Sequence, residues 1–200
     1  MRFSIAAGFA LLLAGLALAP TSEGADAYHG TVLDAETKAP LEGAVVTVVW
    51  HRKPAVTMDG PQYFHRAREV LTDSAGKFSV SASPGIDWNP LTYVVKEPRI
   101  VIYKPGYGPF PVAHGSPRVV ERFGRMHQLD LAELNAELLR GAVVELPPLK
   151  TQEEQARFTT PGELWLSIEP YDRIPNLIRL INIQRKRLHL DPYPASGQEG

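Results

Sequence analysis

Two hundred residues are enough to bury a core without staples. The absence of cysteine excludes a disulfide framework, a zinc–cysteine cluster, a thiol nucleophile and a lipid-modified amino-terminal cysteine. Lysine and arginine number 21 against 22 aspartates and glutamates. No long-range field therefore favours nucleic acid or an anionic membrane, and a partner must be recognised by local features.

The first 27 residues have the pattern of a secretory signal, with Arg2 ahead of an apolar run from Ile5 to Ala19 that is short for a bilayer span. Pro20 spoils the small-residue site ending at Ala19. Ala25-Asp26-Ala27 offers a second site, which predicts processing after Ala27 and Tyr28 as the mature terminus. Losing Arg2, Glu23 and Asp26 leaves a mature net charge of zero. No later stretch is long and apolar enough to cross a membrane, so a periplasmic or secreted protein without a transmembrane segment is expected.

The mature chain opens with a short strand over residues 28–33, followed by turn chemistry from Asp34 to Pro40. Residues 44–51 are the strongest strand signal, with Ala44, Val46, Val48 and Trp50 on one face and Val45, Thr47, Val49 and His51 on the other. Their density of β-branched residues predicts a central strand covered on at least one face. Residues 52–68, with Pro54, Gly60 and Pro61, read as a long connection carrying Tyr63, Phe64 and His65. A hairpin is expected next, residues 69–72 and 77–81 flanking a turn from Asp73 to Gly76 in which Gly76 takes positive φ. Ser83-Pro84-Gly85 and Asn89-Pro90 mark a loop, and residues 99–103 a buried strand stopped by Lys104-Pro105-Gly106-Tyr107.

Beyond a Gly- and Pro-rich stretch the period changes. Leu131, Leu134 and Leu138 predict a helix stopped by Gly141, and residues 142–146 a last strand ended by Pro147-Pro148. Thr151 to Glu154 and Thr160 to Glu163 are capping-box patterns. Pro175 opens a final helix whose apolar stripe is Ile174, Leu177, Ile178, Ile181 and Leu188, with Arg185-Lys186-Arg187 in its last turn. These signals divide the chain into a signal (1–27), a β domain (28–150), a helical extension (151–190) and a frayed tail (191–200).

Three stretches carry a resemblance: His29-Gly30-Thr31-Val32-Leu33-Asp34 continuing to Leu41-Glu42-Gly43-Ala44, then Thr72-Asp73-Ser74-Ala75-Gly76-Lys77-Phe78, then Lys104-Pro105-Gly106-Tyr107. In order and spacing they resemble the carboxypeptidase regulatory-like domain. That resemblance implies a mainly-β fold, a seven-stranded transthyretin-like Greek-key sandwich, here with a helical carboxy-terminal extension. It implies structural roles for Gly30, Gly43, Asp73, Gly76, Pro105, Gly106 and Tyr107. Gly30 and Gly43 would let backbone pass where a side chain collides, and Tyr107 would cover a corner. It implies no activity, because sandwiches of this kind serve as adhesion repeats, carbohydrate-binding modules and enzyme appendages.

The enzymes that share such a sandwich leave no complete signature. The chain has no room for a separate metallocarboxypeptidase catalytic domain. Trp50 and Gly60-Pro61-Gln62-Tyr63 echo one iron-binding tyrosine of intradiol dioxygenases, but the paired His-x-His ligands have no counterpart, and one tyrosine cannot hold iron. The hydroxyisourate hydrolase tail, Tyr-Arg-Gly-Ser, is missing, as are a nucleophile elbow, a P-loop and a lysine for an isopeptide bond on the early strands. The six histidines, at 29, 51, 65, 114, 127 and 189, lack ligand spacing; His51, His65 and Asp59 border one connection, and solvated loop histidines are the plainer account.

Tyr63, Phe64 and Trp88 remain as an aromatic surface, provided their loops meet at one end of the sandwich; Trp50 belongs to the core by strand alternation. The expected function is a non-enzymatic, cofactor-free binding or structural module of the cell envelope, its ligand an envelope protein or carbohydrate. The alternative is a metal-dependent enzyme using the 51–69 loop.

Overall fold

The computed structural model describes residues 26–56, 60–85, 91–111, 130–164, 166 and 170–194. The chain is mainly β. Its strands are β1 (Ala27–Asp34), β2 (Val45–Pro54), β3 (Tyr63–Leu71), β4 (Lys77–Ser81), β5 (Tyr93–Val95), β6 (Arg99–Tyr103) and β7 (Ala142–Leu146). Helices α1 (Leu131–Arg140), α2 (Gln152–Ala156) and α3 (Pro175–Arg187), with 3-10 turns at Gly162–Leu164 and Tyr171–Arg173, complete the described elements. The expected signal lies almost wholly outside the described residues. Because β1 begins at Ala27, a cut after that residue would make Tyr28 the first residue of the strand and forgo the pairing of Ala27 with Ser81.

Two sheets form. In one, β1 lies between antiparallel β4 and parallel β7. In the other, β2 pairs with β3 on one side and with β6 and β5 in tandem on the other, all antiparallel. The short β5 falls in a stretch to which the sequence reading assigns no strand, between the Asn89-Pro90 loop and residue 99. It continues the line of β6 beyond Pro98, which has no N–H to give the ladder, and the Lys96 amide donates to the His51 carbonyl across the gap (2.8 Å).

The alternation of β2 builds two cores. Ala44, Val46, Val48 and Trp50 join Tyr28, Val32, Phe78, Val80, Ile100, Ile102 and Val144 between the sheets. Val45 and Val49 face away and join Val101 and Tyr103 beneath Leu166, Ile174, Leu177, Ile178 and Ile181. A central strand buried on both faces is what its continuous apolar run demands. Leu134 and Leu138 of α1 close the first core from the side. The carboxy-terminal helix therefore forms a third layer across the second sheet.

That layer is fastened by an acid. Helix α3 has Ile174 at its N-cap, with no side chain to satisfy the first amides, and Pro175 next. Glu69 of β3 supplies the missing acceptor from outside the helix: its carboxylate accepts from the Asn176 amide (2.8 Å), the Leu177 amide (2.9 Å) and the Thr47 hydroxyl (3.1 Å). Burial pushes the Glu69 carboxyl above its ordinary range despite the opposing pull of these donors. Ionisation thus works against the fold: Glu69's contribution is full below the unfolded pKa and is lost as pH rises through the folded one. Glu69→Ala is expected to cost about 1–3 kcal/mol, because two helix amides lose their acceptor. Glu69→Gln, which keeps one oxygen, should cost less. Denaturant melts of the three proteins check the order, and equal midpoints would refute the clasp.

Several turns depart from the sequence reading. Asp73 Oδ1 accepts from the Ala75 and Lys77 amides (2.9 and 2.8 Å), and Gly76 has φ +71°, as expected. The turn is not a hairpin, however, since β3 and β4 belong to different sheets and the chain crosses between them there. Gly30 does pack where a Cβ would run into the Ala142 carbonyl. Gly43 does not: a Cβ there would meet open space, and its φ of +70° is what calls for glycine. The connection expected over 52–68 is mostly strand, β2 running on to Pro54 and β3 starting at Tyr63. Nor are residues 191–194 frayed. The Tyr193 amide and carbonyl bond both ends of the Asn182 amide (2.6 and 3.0 Å), and its hydroxyl meets that of Tyr171 (2.9 Å).

At the far end of the sheets, Asp34 closes the β1 turn. Its Oδ1 accepts from the Glu36 and Thr37 amides (2.7 and 2.9 Å), and its Oδ2 accepts from the Tyr107 hydroxyl (3.0 Å). Desolvation works to raise this carboxyl, but the two amides and the tyrosine together outweigh it and hold it below the usual aspartate range. The sign follows: the stability it brings is present above the unfolded value near pH ~3.9 and is lost as pH falls through the folded one. Thermal melts of Asp34→Asn should lie below the parent at neutral pH and converge with it under acid; parallel curves would show that Asp34 carries no such linkage.

Candidate functional site

Along β3 the core-facing positions run from apolar to charged. Val70, paired with Val46, packs on the inter-sheet core, whereas Arg68 stands opposite Val48 and Arg66 opposite Trp50. A bulge follows at Trp50/His51, after which Tyr63 stands opposite Arg52. On the other side of β2, Tyr93 pairs with Pro54 and Val95 with Arg52. Strand alternation thus gathers Arg52, Tyr63, Arg66, Arg68 and Tyr93 on one side of the second sheet, at the end where β1 starts and β4 finishes.

The contacts are specific. The Arg52 guanidinium lies over the Tyr93 ring at 4.5 Å, and the Tyr93 and Tyr63 rings meet edge to face at 6.3 Å and 89°. Arg66 rests against Gly85 in the segment after β4, so closely that a Cβ there would sit 2.7 Å from its Cζ. Arg68 is half buried, and its Nε, inaccessible to solvent, has no hydrogen-bond partner among the described residues. No described residue forms an ion pair with Arg66 or Arg68. Tyr63 is 47% exposed. Three guanidinium groups and two tyrosine rings thus share one side of the second sheet, with Tyr63 and Arg66 exposed.

Of the three aromatic residues expected to form a binding surface, the structure places Tyr63 here. Phe64 alternates to the opposite face and packs on the core beneath α3. Trp88 lies outside the described residues. The structural positions fall as follows: Gly30, Gly43, Asp73 and Gly76 at the β1–β4 side, and Pro105-Gly106-Tyr107 at the end opposite the arginines, where Tyr107 bridges to Pro148. His51 is a buried strand residue rather than a solvated loop histidine. Asp59, His114 and His127 lie outside the described residues, and among those described no three His, Cys, Asp or Glu side chains are placed to hold a metal ion.

Sequence reasoning missed the arginines because Gly60-Pro61 and the bulge hide the strand period. The usable signal was the spacing of Arg66 and Arg68, two residues apart ahead of Val70.

A concavity of about 590 Å³ lies on the outer side of α3, lined by Tyr171, Pro175, Ile178, Arg179, Asn182 and Lys186. Two of its polar walls are already engaged, since both Tyr171 and Asn182 bond Tyr193. The arginine–tyrosine surface is the stronger site because Arg66 and Arg68, which have no ion-pair partner among the described residues, stand beside an exposed tyrosine. Comparison of the chain with protein-family models, curated proteins and solved structures finds no match.

Proposed function

We propose that the chain is an exported, non-catalytic binding module of the cell envelope, built as a seven-stranded transthyretin-like Greek-key sandwich similar to the carboxypeptidase regulatory-like domain. Two features support the fold assignment. Asp34 and Tyr107, from the first and last of the three resembling stretches, hydrogen-bond to each other, and Gly30 and Gly76 sit where β1 is crossed too closely for a side chain. The observation that carries the binding role is the arginine–tyrosine surface, with a buried guanidinium N–H that nothing described in the chain satisfies. A group of this kind costs about 1–3 kcal/mol when left without a partner.

Exported protein, used as bait against an envelope extract, is expected to retain a component that Arg66→Gln does not. Intact mass should show a chain beginning at Tyr28, and elemental analysis no stoichiometric transition metal. Bound metal at one equivalent would overturn the non-catalytic reading. Equal retention by parent and variant would move the binding surface elsewhere.

A further inference from the structure

Resting on that reading, we infer that the arginine–tyrosine surface takes an acidic glycan, a polysaccharide whose sugar rings carry carboxylates. Guanidinium groups match carboxylates with two parallel N–H bonds, a geometry a lysine cannot offer. Arg66 and Arg68 leave β3 roughly 7 Å apart along the strand, so they meet acidic groups at successive positions of a chain-like ligand. Gly85 lets Arg66 lie flat against the backbone, which fixes its direction. Arg68 is half buried, so part of its desolvation is complete before a ligand arrives.

The tyrosines favour a sugar over an acidic peptide. Tyr63 and Tyr93 stand at right angles, and Arg52 occupies one face of Tyr93. The exposed Tyr63 ring is left to stack on the apolar face of a pyranose while its hydroxyl bonds ring oxygens. Cations on an edge strand also discourage strand-to-strand pairing, but that role needs neither a half-buried guanidinium nor a tyrosine pair beside it.

The test is a titration of the full exported chain with sodium polygalacturonate, neutral dextran and poly-L-glutamate, followed by calorimetry. Polygalacturonate is expected to bind, more weakly as salt rises, and dextran not to bind. The Arg66→Gln/Arg68→Gln double variant should lose about tenfold or more in affinity. Arg66→Lys/Arg68→Lys should fall between it and the parent. Tyr63→Ala, at an exposed position, should fold normally and bind several-fold more weakly. Failure of polygalacturonate to bind, or binding untouched by these variants, would overturn the inference. Equal binding of poly-L-glutamate, with Tyr63→Ala indistinguishable from the parent, would also overturn it, reducing the site to a patch for any polyanion. An envelope component still retained in an Arg66-dependent way, while polygalacturonate fails, would leave the binding module standing and remove only the glycan.

Discussion

Deleting residues 160–200 is expected to abolish the native fold rather than trim it. The deletion removes Leu164, Leu166, Ile174, Leu177, Ile178 and Ile181, and it uncovers Val45, Val49 and Val101 on the outer face of the second sheet. Each such side chain contributes roughly 1.5–3 kcal/mol when buried, so the four from Ile174 to Ile181 alone approach the ~5–15 kcal/mol net stability of a whole domain. The truncated chain should bind hydrophobic dye, resist refolding and show no cooperative melt. A milder variant separates packing from chain length: Leu177→Ala should cost about 2–5 kcal/mol as a cavity in the same layer. A truncated protein with the parent's melting temperature would mean that α3 is an accessory, and the second core an accident of apposition.

Gly76→Val is expected to be nearly as damaging. At φ +71° an L-residue pays about 1–2 kcal/mol, and a β-branched one more. The new Cβ would also run into the Val32 carbonyl, which accepts from Leu41, while the Gly76 carbonyl itself accepts from Val32 (2.8 Å). Relief requires β1 and the 73–76 turn to separate, breaking the Val32–Gly76 bond. We expect a loss of at least ~3 kcal/mol, or a Tm fall of roughly 6 °C or more for a domain of this size. Gly43→Val, equally left-handed but facing open space, should cost only the conformational part. The difference between the two substitutions measures the collision, and equal midpoints would place Gly76 outside the turn described.

The elements with a clean period were legible in the sequence. The alternating apolar residues of β2, the leucine spacing of α1 and the stripe of α3 name their buried faces: the β2 residues, Leu134, Leu138, Ile174, Leu177, Ile178 and Ile181 are buried, whereas Leu131 at the start of α1 is exposed and Leu188 at the end of α3 is only partly covered. Capping chemistry was equally readable: Asp130 and Thr151 both form full capping boxes, although only Thr151 was anticipated. What sequence could not supply was partnership at a distance. Nothing local in Glu69 marks it as the acceptor for a helix that begins more than one hundred residues later. Likewise the Asp73–Gly76 turn looks the same whether it joins neighbours in one sheet or carries the chain across to another. The candidate site suffered doubly. Its strand is interrupted by a bulge that resets the period, and its arginines read as loop composition until β2 is seen opposite them.

The parallel pairing of β1 with β7 bears on the order of events in folding. Among the described strands, the first to emerge is the middle strand of its sheet, and one of its two neighbours is the last to be made. Until β7 arrives, Val32 has no lid on one side and the 30–34 ladder stands open. Contacts of such long sequence separation are slow to form. A nascent segment lacking its closing strand and its covering helix has no stable fold to adopt, so it stays threadable. For a chain proposed to be exported, that delay is an asset: the architecture itself postpones folding until β7 and α3 have been made.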